Sequence, residues 1–107
     1  RIPLGGLMVS SMCLGGNRLG NALDEEASFR LLDAFAGCGG TVVDTARVYA
    51  DWVPGAPKGA SEATIGRWLR SRRPAGFVVA TKGAHPALDG PGRGRLTRRD
   101  LAAEVDA

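Results

Sequence analysis

The chain has 107 residues, a length that suits one small domain. With 44% hydrophobic residues, 23% charged residues and a formal net charge of +3, its composition is typical of a soluble globular protein. Every apolar run is shorter than the roughly 18 residues that a membrane helix needs, so the sequence predicts no membrane span. The two cysteines, Cys13 and Cys38, lie in apolar surroundings with no secretory signal ahead of them. This indicates reduced, buried thiols in a cytoplasmic protein.

A short β-hairpin is predicted over residues 1–11, where apolar and polar residues alternate weakly around a pair of glycines. Residues 11–14 follow as a first buried strand, which runs into a loop containing Gly16 and Asn17. Glycines after a strand let the backbone approach a ligand closely. The spacing differs from G-x-G-x-x-G, however, and a plain glycine turn is the simpler interpretation of the loop taken alone.

The first helix is predicted to begin after Asp24, a good N-cap residue that two glutamates follow at the positive end of the helix dipole. Its apolar residues recur at helical spacing and predict one buried stripe, and nearby glycines end the helix. The members of the stripe are Leu31, Leu32, Phe35 and Cys38.

The second strand, residues 41–44, is a β-branched run that ends in Asp44. A buried strand is a poor place for a carboxylate, so Asp44 is expected at the strand's carboxyl end, where the chain leaves the core. In α/β folds, ligands bind and chemistry takes place at that end of the strands. The strand therefore predicts where a functional site lies.

A long loop, residues 46–60, separates this strand from the second helix. Its prolines and glycines disfavour regular structure, and it holds two large aromatic residues, Tyr49 and Trp52. Ser61 is predicted to cap the second helix. The apolar face of that helix consists of Ile65, Trp68 and Leu69.

A third strand is predicted over residues 77–81 and ends in Lys82. The irregular loop 83–96 follows and contains His85, the single histidine of the chain. A threonine and an aspartate then form a capping box at residues 97–100, which begins a third helix.

Arginines are concentrated near the end of the chain and suggest a second kind of site. Such a cluster can hold the phosphates of a nucleotide or a nucleic acid, and binding of that kind weakens steeply with salt. Because no aromatic residues are interleaved, solvated loops and helix ends are the better interpretation, and no nucleic-acid partner is expected. The cluster consists of Arg93, Arg95, Arg98 and Arg99.

The alternation of strands and helices predicts an α/β fold with a parallel sheet and right-handed crossovers. Two architectures fit this order, an open doubly wound sheet and a (β/α)8 barrel. Both place the carboxyl ends of neighbouring strands on one rim, so Asp44 and Lys82 are expected side by side.

Together with Tyr49, these two residues predict carbonyl chemistry. Asp44 and Lys82 can form a buried ion pair, and a tyrosine beside the lysine lies in a positive potential that favours its phenolate. Such a tyrosine can give a proton to a carbonyl oxygen while a bound dihydronicotinamide supplies the hydride. The alternative is a lyase in which Lys82 forms a Schiff base with a carbonyl substrate.

Four segments, in this order, resemble the aldo-keto reductase family and span nearly the whole chain. They are Leu14-Gly15-Gly16-Asn17, Asp44-Thr45-Ala46 with Tyr49, Gly59-Ala60-Ser61-Glu62, and Val79-Ala80-Thr81-Lys82. The resemblance implies the N-terminal portion of a (β/α)8 barrel, about three βα units preceded by the hairpin. It also implies an NADPH-dependent oxidoreductase that reduces aldehydes or ketones without a metal, with NADH as cofactor in some members.

The same resemblance implies roles for particular residues. Tyr49 would be the general acid, Lys82 would tune it, and Asp44 would pair with Lys82. Gly16, Asn17 and Asp44 would lie near the nicotinamide and its ribose.

The resemblance is less complete for the substrate and for the rest of the catalytic set. Trp52 would form a wall of the pocket for a small carbonyl substrate. The family's catalytic histidine ends a fourth strand, and its role is not carried over to His85. A complete barrel needs about 250 residues, so residues 1–107 are expected to be a partial barrel domain, cut at both ends and inactive on its own. The oligomeric state stays open.

Overall fold

The computed structural model describes residues 1–49, 52–83 and 97–106. In these residues an N-terminal hairpin precedes three strands that alternate with three helices. The strands are β1 (Ile2–Leu4), β2 (Leu7–Val9), β3 (Leu14–Gly15), β4 (Val42–Asp44) and β5 (Val78–Ala80). The helices are α1 (Glu25–Gly37), α2 (Ala60–Arg72) and α3 (Arg98–Asp106).

The predicted hairpin and the predicted parallel sheet are both confirmed. β1 and β2 pair antiparallel around a turn that contains Gly5, whose φ of +59° suits glycine. β3, β4 and β5 form a parallel sheet with β4 in the middle. In this register Asp44 lies opposite Gly15 on one side and Ala80 on the other, so the acid ends the central strand.

The core packs helices α1 and α2 against the sheet. Val43 of the central strand, Leu32 of α1 and Trp68 of α2 are all buried. The Trp68 ring meets the ring of Phe77 edge to face, with centroids 4.9 Å apart. Ile65 is buried next to Trp68, which confirms the predicted apolar face of the second helix.

A polar clamp joins α1 to α2. Asp33 accepts hydrogen bonds from the indole N–H of Trp68 at 2.8 Å and from Nε and Nη2 of Arg72 at 3.0 and 3.1 Å. The hydrogen bonds from Arg72, followed by the one from Trp68, lower the pKa of Asp33. The clamp fixes the orientation of α2, and the first turn of that helix reaches the candidate site.

The predicted stripe of the first helix is wrong in part. Leu32 is buried and Phe35 is half-buried, but Leu31 and Cys38 are exposed. Ser28 and Leu32 lie one helical turn apart and face the core. Leu31 precedes Leu32 by one residue and therefore points about 100° away around the helix. Cys38 is the C-cap residue, at the point where the chain leaves the helix.

The first strand of the sheet is shorter and less buried than predicted. Sheet pairing begins only at Leu14, Met12 is 74% exposed, and Cys13 is exposed. The chain bends before Leu14, where the hydroxyl of Ser10 donates to the carbonyl oxygen of Met12 at 2.7 Å. Both cysteines are therefore exposed thiols, and their predicted burial is wrong.

The second helix begins without the predicted serine cap. Gly59 is its N-cap residue, in the left-handed region at φ +68°, and has no side chain with which to cap. A Cβ at this position would lie 2.9 Å from the guanidinium of Arg47. Ser61 lies inside the helix and is fully buried. The described parts of the preceding loop, residues 46–49 and 52–59, contain neither helix nor strand, as predicted.

The capping box of the third helix is confirmed in its main contact. The hydroxyl of Thr97 accepts a hydrogen bond from the N–H of Asp100 at 3.1 Å, and a carboxyl oxygen of Asp100 lies 2.8 Å from the same hydroxyl. Residues 84–96, with His85 and two of the clustered arginines, lie outside the described residues.

We expect Gly20→Ala to lower the free energy of unfolding by roughly 2 kcal/mol or more, through strain and crowding together. Gly20 has a φ of +75°, and a Cβ there would lie 2.8 Å from the carbonyl oxygen of Ala60 and against the hydroxyl of Thr64. Gly5→Ala is a matched control, because its φ is +59° and no described atom lies within 4 Å of the added carbon. Only a conformational cost of about 1 kcal/mol remains there. Equal losses in denaturant titrations would contradict the packing argument.

Candidate active site

The carboxyl ends of β4 and β5 carry the residues that the sequence predicts to form a site. Pairing continues past the strands, since the N–H of Thr45 donates to the carbonyl oxygen of Ala80 at 2.8 Å. The N–H of Arg47 likewise donates to the carbonyl oxygen of Lys82 at 3.0 Å. These bonds hold the two segments side by side and bring Asp44 next to Lys82. The expected juxtaposition of the two residues is confirmed.

Lys82 is bound by two oxygens of the neighbouring strand end. Its Nζ donates to Oδ1 of Asp44 and to the carbonyl oxygen of Thr45, both at 2.8 Å. The hydrogen bond with Asp44 is the largest cause of the raised pKa of Lys82. Partial desolvation of the ammonium lowers this pKa, whereas Tyr49 raises it further. The side chains of Lys82 and Asp44 are 50% and 43% exposed. The predicted ion pair therefore forms, but the prediction that it is buried is wrong.

Tyr49 lies beside this lysine. Nζ of Lys82 is over the phenol ring, 5.0 Å from its centroid. A turn places the tyrosine, because its N–H donates to the carbonyl oxygen of Ala46 at 3.1 Å. The exposed indole of Trp52 packs edge to face against the phenol, with centroids 5.8 Å apart. The half-buried Tyr49 thus contacts both a cation and an aromatic side chain that faces solvent.

The loop after β3 meets the same rim. Gly16 is buried, its N–H donates to the carbonyl oxygen of Asp44 at 2.7 Å, and a Cβ at this position would lie 2.8 Å from that oxygen. Only glycine lets the two backbones come this close. Asn17, the next residue, is exposed, and its carbonyl oxygen accepts from the side-chain amide of Asn21 at 3.0 Å. The predicted trio of Gly16, Asn17 and Asp44 therefore forms one continuous edge.

Thr45 and the hydroxyl of Ser61 lie at the site without any role that the sequence predicts. Both residues are fully buried, and their hydroxyl oxygens are 2.7 Å apart. Thr45 also supplies the second acceptor for Lys82, through its backbone carbonyl. A backbone acceptor leaves no signature in a sequence. The one available signal was a small polar residue directly after Asp44.

The exposed thiol of Cys13 lies within electrostatic range of the ion pair. Partial burial and then the carboxylate of Asp44 raise the pKa of Cys13, while Lys82 acts in the opposite direction. A raised pKa keeps the thiol protonated at neutral pH, so Cys13 is not an activated nucleophile in this arrangement.

Residues 1–49, 52–83 and 97–106 contain neither a metal-ligand cluster nor a helix that could span a membrane. No three His, Cys, Asp or Glu side chains of this part of the chain group together as metal ligands. None of the helices found there has the length and apolar character needed to cross a bilayer. Among the described residues of the rim, Asp44, Tyr49 and Lys82 carry groups that can hold or move a proton.

Known proteins that are similar to the chain point to one family. The model of the Aldo/keto reductase family matches residues 11–107. An uncharacterized 11.2 kDa protein of Pseudescherichia vulneris is 44% identical over 64 residues, which are 60% of this chain and 62% of that protein. The aryl-alcohol dehydrogenase (NADP(+)) of Phanerodontia chrysosporium is 42% identical over 86 residues, which cover 72% of this chain and 20% of the enzyme.

Solved structures agree with these sequence matches. A crystal structure described as that of an aldo-keto reductase from Pseudomonas aeruginosa is similar with a TM-score of 0.73 and 28% sequence identity. The match covers 98% of this chain and 40% of that one. The chain thus spans 20%, 40% and 62% of the lengths of three proteins that it resembles.

Proposed function

This chain belongs to the aldo/keto reductase family, and we propose that the complete protein reduces aldehydes or ketones to alcohols by hydride transfer from NADPH. The family is one of oxidoreductases. Its α/β fold is the N-terminal portion of the family's (β/α)8 barrel. We also propose that residues 1–107 comprise the hairpin and three of the eight βα units.

The observation that carries the proposal is the placement of Lys82 between Asp44 and Tyr49. Its Nζ is 2.8 Å from the carboxylate and 5.0 Å from the centroid of the phenol ring. A carbonyl that accepts a hydride builds up negative charge on its oxygen and needs a proton there. Tyr49 is the proposed donor of that proton. Lys82, which Asp44 keeps positively charged, stabilises the negative charge left on the phenolic oxygen.

The edge formed by Gly16, Asn17 and Asp44 fits a nicotinamide cofactor. The loop is open at Gly15, since a Cβ there would have no described atom within 4 Å, so a flat ring can approach the backbone closely at this point. The exposed amide of Asn17 and the partly exposed carboxylate of Asp44 can bind amide and hydroxyl groups. When bound, NADPH supplies the hydride. The phosphorylated form is proposed because the relative from Phanerodontia chrysosporium has NADP(+) in its name.

The substrate is proposed to be a small aromatic aldehyde or ketone. Trp52 is 52% exposed and packs against Tyr49, so it offers an apolar wall directly beside the proposed acid. Aromatic rings pack well on such a surface. Two relatives, from Phanerodontia chrysosporium and Pestalotiopsis microspora, are named aryl-alcohol dehydrogenases, which are enzymes of the reverse reaction.

The lyase alternative fits the structure less well. A lysine that attacks a carbonyl reacts as the neutral amine, which needs a lowered pKa. Lys82 has the opposite environment, because two oxygens accept from its Nζ and its pKa is raised. Nucleic-acid binding is not proposed; of the terminal arginine cluster, Arg98 and Arg99 are exposed at the start of α3, and Arg93 and Arg95 lie outside the described residues.

Catalysis is proposed for a complete barrel that contains this segment. The described residues form three parallel strands, whereas a complete barrel has eight strands and about 250 residues. We propose that the 107-residue chain has no reductase activity by itself, because the family's fourth catalytic group ends a fourth strand. NADPH turnover by the isolated chain would contradict this part of the proposal.

The complete protein is tested by following NADPH consumption with an aromatic aldehyde. We expect one NADPH to be oxidised for each alcohol formed, and no adduct on Lys82 after borohydride treatment. Assays without the aldehyde control for non-specific oxidation of NADPH. A borohydride-trapped adduct on Lys82, without NADPH consumption, would replace the proposed reductase by the lyase.

A further inference from the structure

Ser61 has a fully buried hydroxyl that does not cap α2. It donates to the carbonyl oxygen of Gly16 at 2.6 Å and lies 2.7 Å from the hydroxyl oxygen of Thr45. These partners belong to two different loops, one after β3 and one after β4. One side chain on α2 therefore joins two segments that form the candidate active site.

The direction of these hydrogen bonds follows from the number of protons available. A hydroxyl has one proton and a carbonyl oxygen can only accept, so the proton of Ser61 points to Gly16. The hydroxyl of Thr45 must then donate to Ser61. The N–H of Gly16 in turn donates to the carbonyl oxygen of Asp44 at 2.7 Å. The bonds form a closed ring, because Asp44 and Thr45 are neighbours in the chain.

This ring determines where one of the acceptors of Lys82 lies. The carbonyl oxygen of Thr45 is 2.8 Å from Nζ of Lys82, and the N–H of Thr45 is bonded to Ala80. With its hydroxyl and its N–H both engaged, Thr45 has little freedom to move its carbonyl. We infer that Ser61 is a positioning residue that holds this carbonyl against Lys82 and holds the Gly16 loop beside the strand end. The inference rests on the proposed function, in which Lys82 acts on Tyr49.

A purely local structural role does not account for the partners of Ser61. Ser28, the other fully buried serine on a described helix, accepts from the N–H of Gly20, eight residues away, and so holds the turn before its own helix. Ser61 instead bonds Gly16 and Thr45, which are 45 and 16 residues away. The approach to Gly16 is close, since a Cβ there would lie 3.3 Å from Oγ of Ser61. The serine thus connects loops rather than stabilising the end of its own helix.

Ser61→Ala and Thr45→Val each break this ring of hydrogen bonds. Both variants are made in the complete protein and compared with the wild type. Thr41→Val is the matched control. It removes a buried hydroxyl from the residue just before β4, at the end of the strand opposite to Asp44, where Thr41 accepts a hydrogen bond from the N–H of Ser10 at 2.7 Å. The first readout is the pH titration of the Lys82 ammonium by NMR, and the second is the pH profile of kcat.

Both test variants are expected to move the titration midpoint of Lys82 to lower pH, since its ammonium loses a well-placed acceptor. They should also lower kcat by about tenfold or more, because small displacements of catalytic groups are costly. Thr41→Val should leave the midpoint and the kcat profile as in the wild type. Thr45→Val keeps the test valid if Ser61→Ala does not fold.

If the midpoint and the kcat profile of Ser61→Ala and Thr45→Val match those of Thr41→Val, Ser61 is only a structural residue and the inference is wrong. A wild-type protein that neither binds nor oxidises NADPH would instead refute the proposed function. In that event the titration of Lys82 still decides the inference, because it measures the position of the Thr45 carbonyl without any turnover. An unchanged midpoint in both variants would overturn it.

Discussion

Tyr49→Phe is expected to lower kcat of the complete protein by about 10² to 10⁴-fold, the range over which a positioned general acid contributes. The substitution removes only the phenolic hydroxyl. The ring, which packs 5.8 Å from Trp52 and 5.0 Å from Nζ of Lys82, is retained. The site therefore keeps its shape and loses the group that is proposed to give the proton to the carbonyl oxygen.

The measurement combines steady-state kinetics on an aromatic aldehyde with a titration of NADPH binding. Cofactor affinity should stay close to that of the wild type, because the proposed contacts are with Gly16, Asn17 and Asp44. Trp52→Phe is a suitable comparison, since it also alters an aromatic side chain at the site but removes no proton donor. It should change KM more than kcat. Wild-type kcat in Tyr49→Phe would show that another group is the acid.

Much of the fold and the placement of two candidate site residues could be predicted because they depend on local patterns and on topology. A β-branched run that ends in an acid located the end of β4, since Asp44 has no favourable place inside the sheet. The position of Lys82 beside it followed from the parallel order of the strands, whose carboxyl ends share one rim. Tyr49 becomes a candidate only through its spacing from Asp44 within the family resemblance.

Two of the wrong predictions concern contacts between distant parts of the chain. Cys13 is apolar in its sequence context, yet it is exposed because pairing with β4 begins only at Leu14. Ser61 has a good local use as a helix cap, and local hydrogen bonding of serine is the usual expectation. Its hydroxyl instead bonds Gly16, which is 45 residues away. No periodicity or spacing in the sequence indicates such a partner.

Lys82→Met is expected to lower kcat by about 10² to 10⁴-fold, because it removes the charge that is proposed to make Tyr49 an effective acid. The hydrogen bond with Asp44 raises the pKa of Lys82 above its ordinary 10.5, so the wild-type ammonium persists through neutral pH and is lost only as the pH rises past the raised value. The defect of the variant should therefore be uniform across neutral pH. Lys58→Met, at an exposed lysine outside the site, is the matched control and should retain activity.

Two further measurements separate a catalytic role of Lys82 from a structural one. Its ion pair with Asp44 is about half exposed, and exposed pairs contribute only roughly 0–1 kcal/mol to stability, so Tm should change little in Lys82→Met. If Lys82 acts only through Tyr49, the double variant Tyr49→Phe/Lys82→Met should lose no more activity than Tyr49→Phe alone, since residues that act as a unit are not additive. Multiplicative losses would mean that Lys82 has a separate task, such as holding the cofactor beside Asp44, and the proposed tuning role would then be wrong.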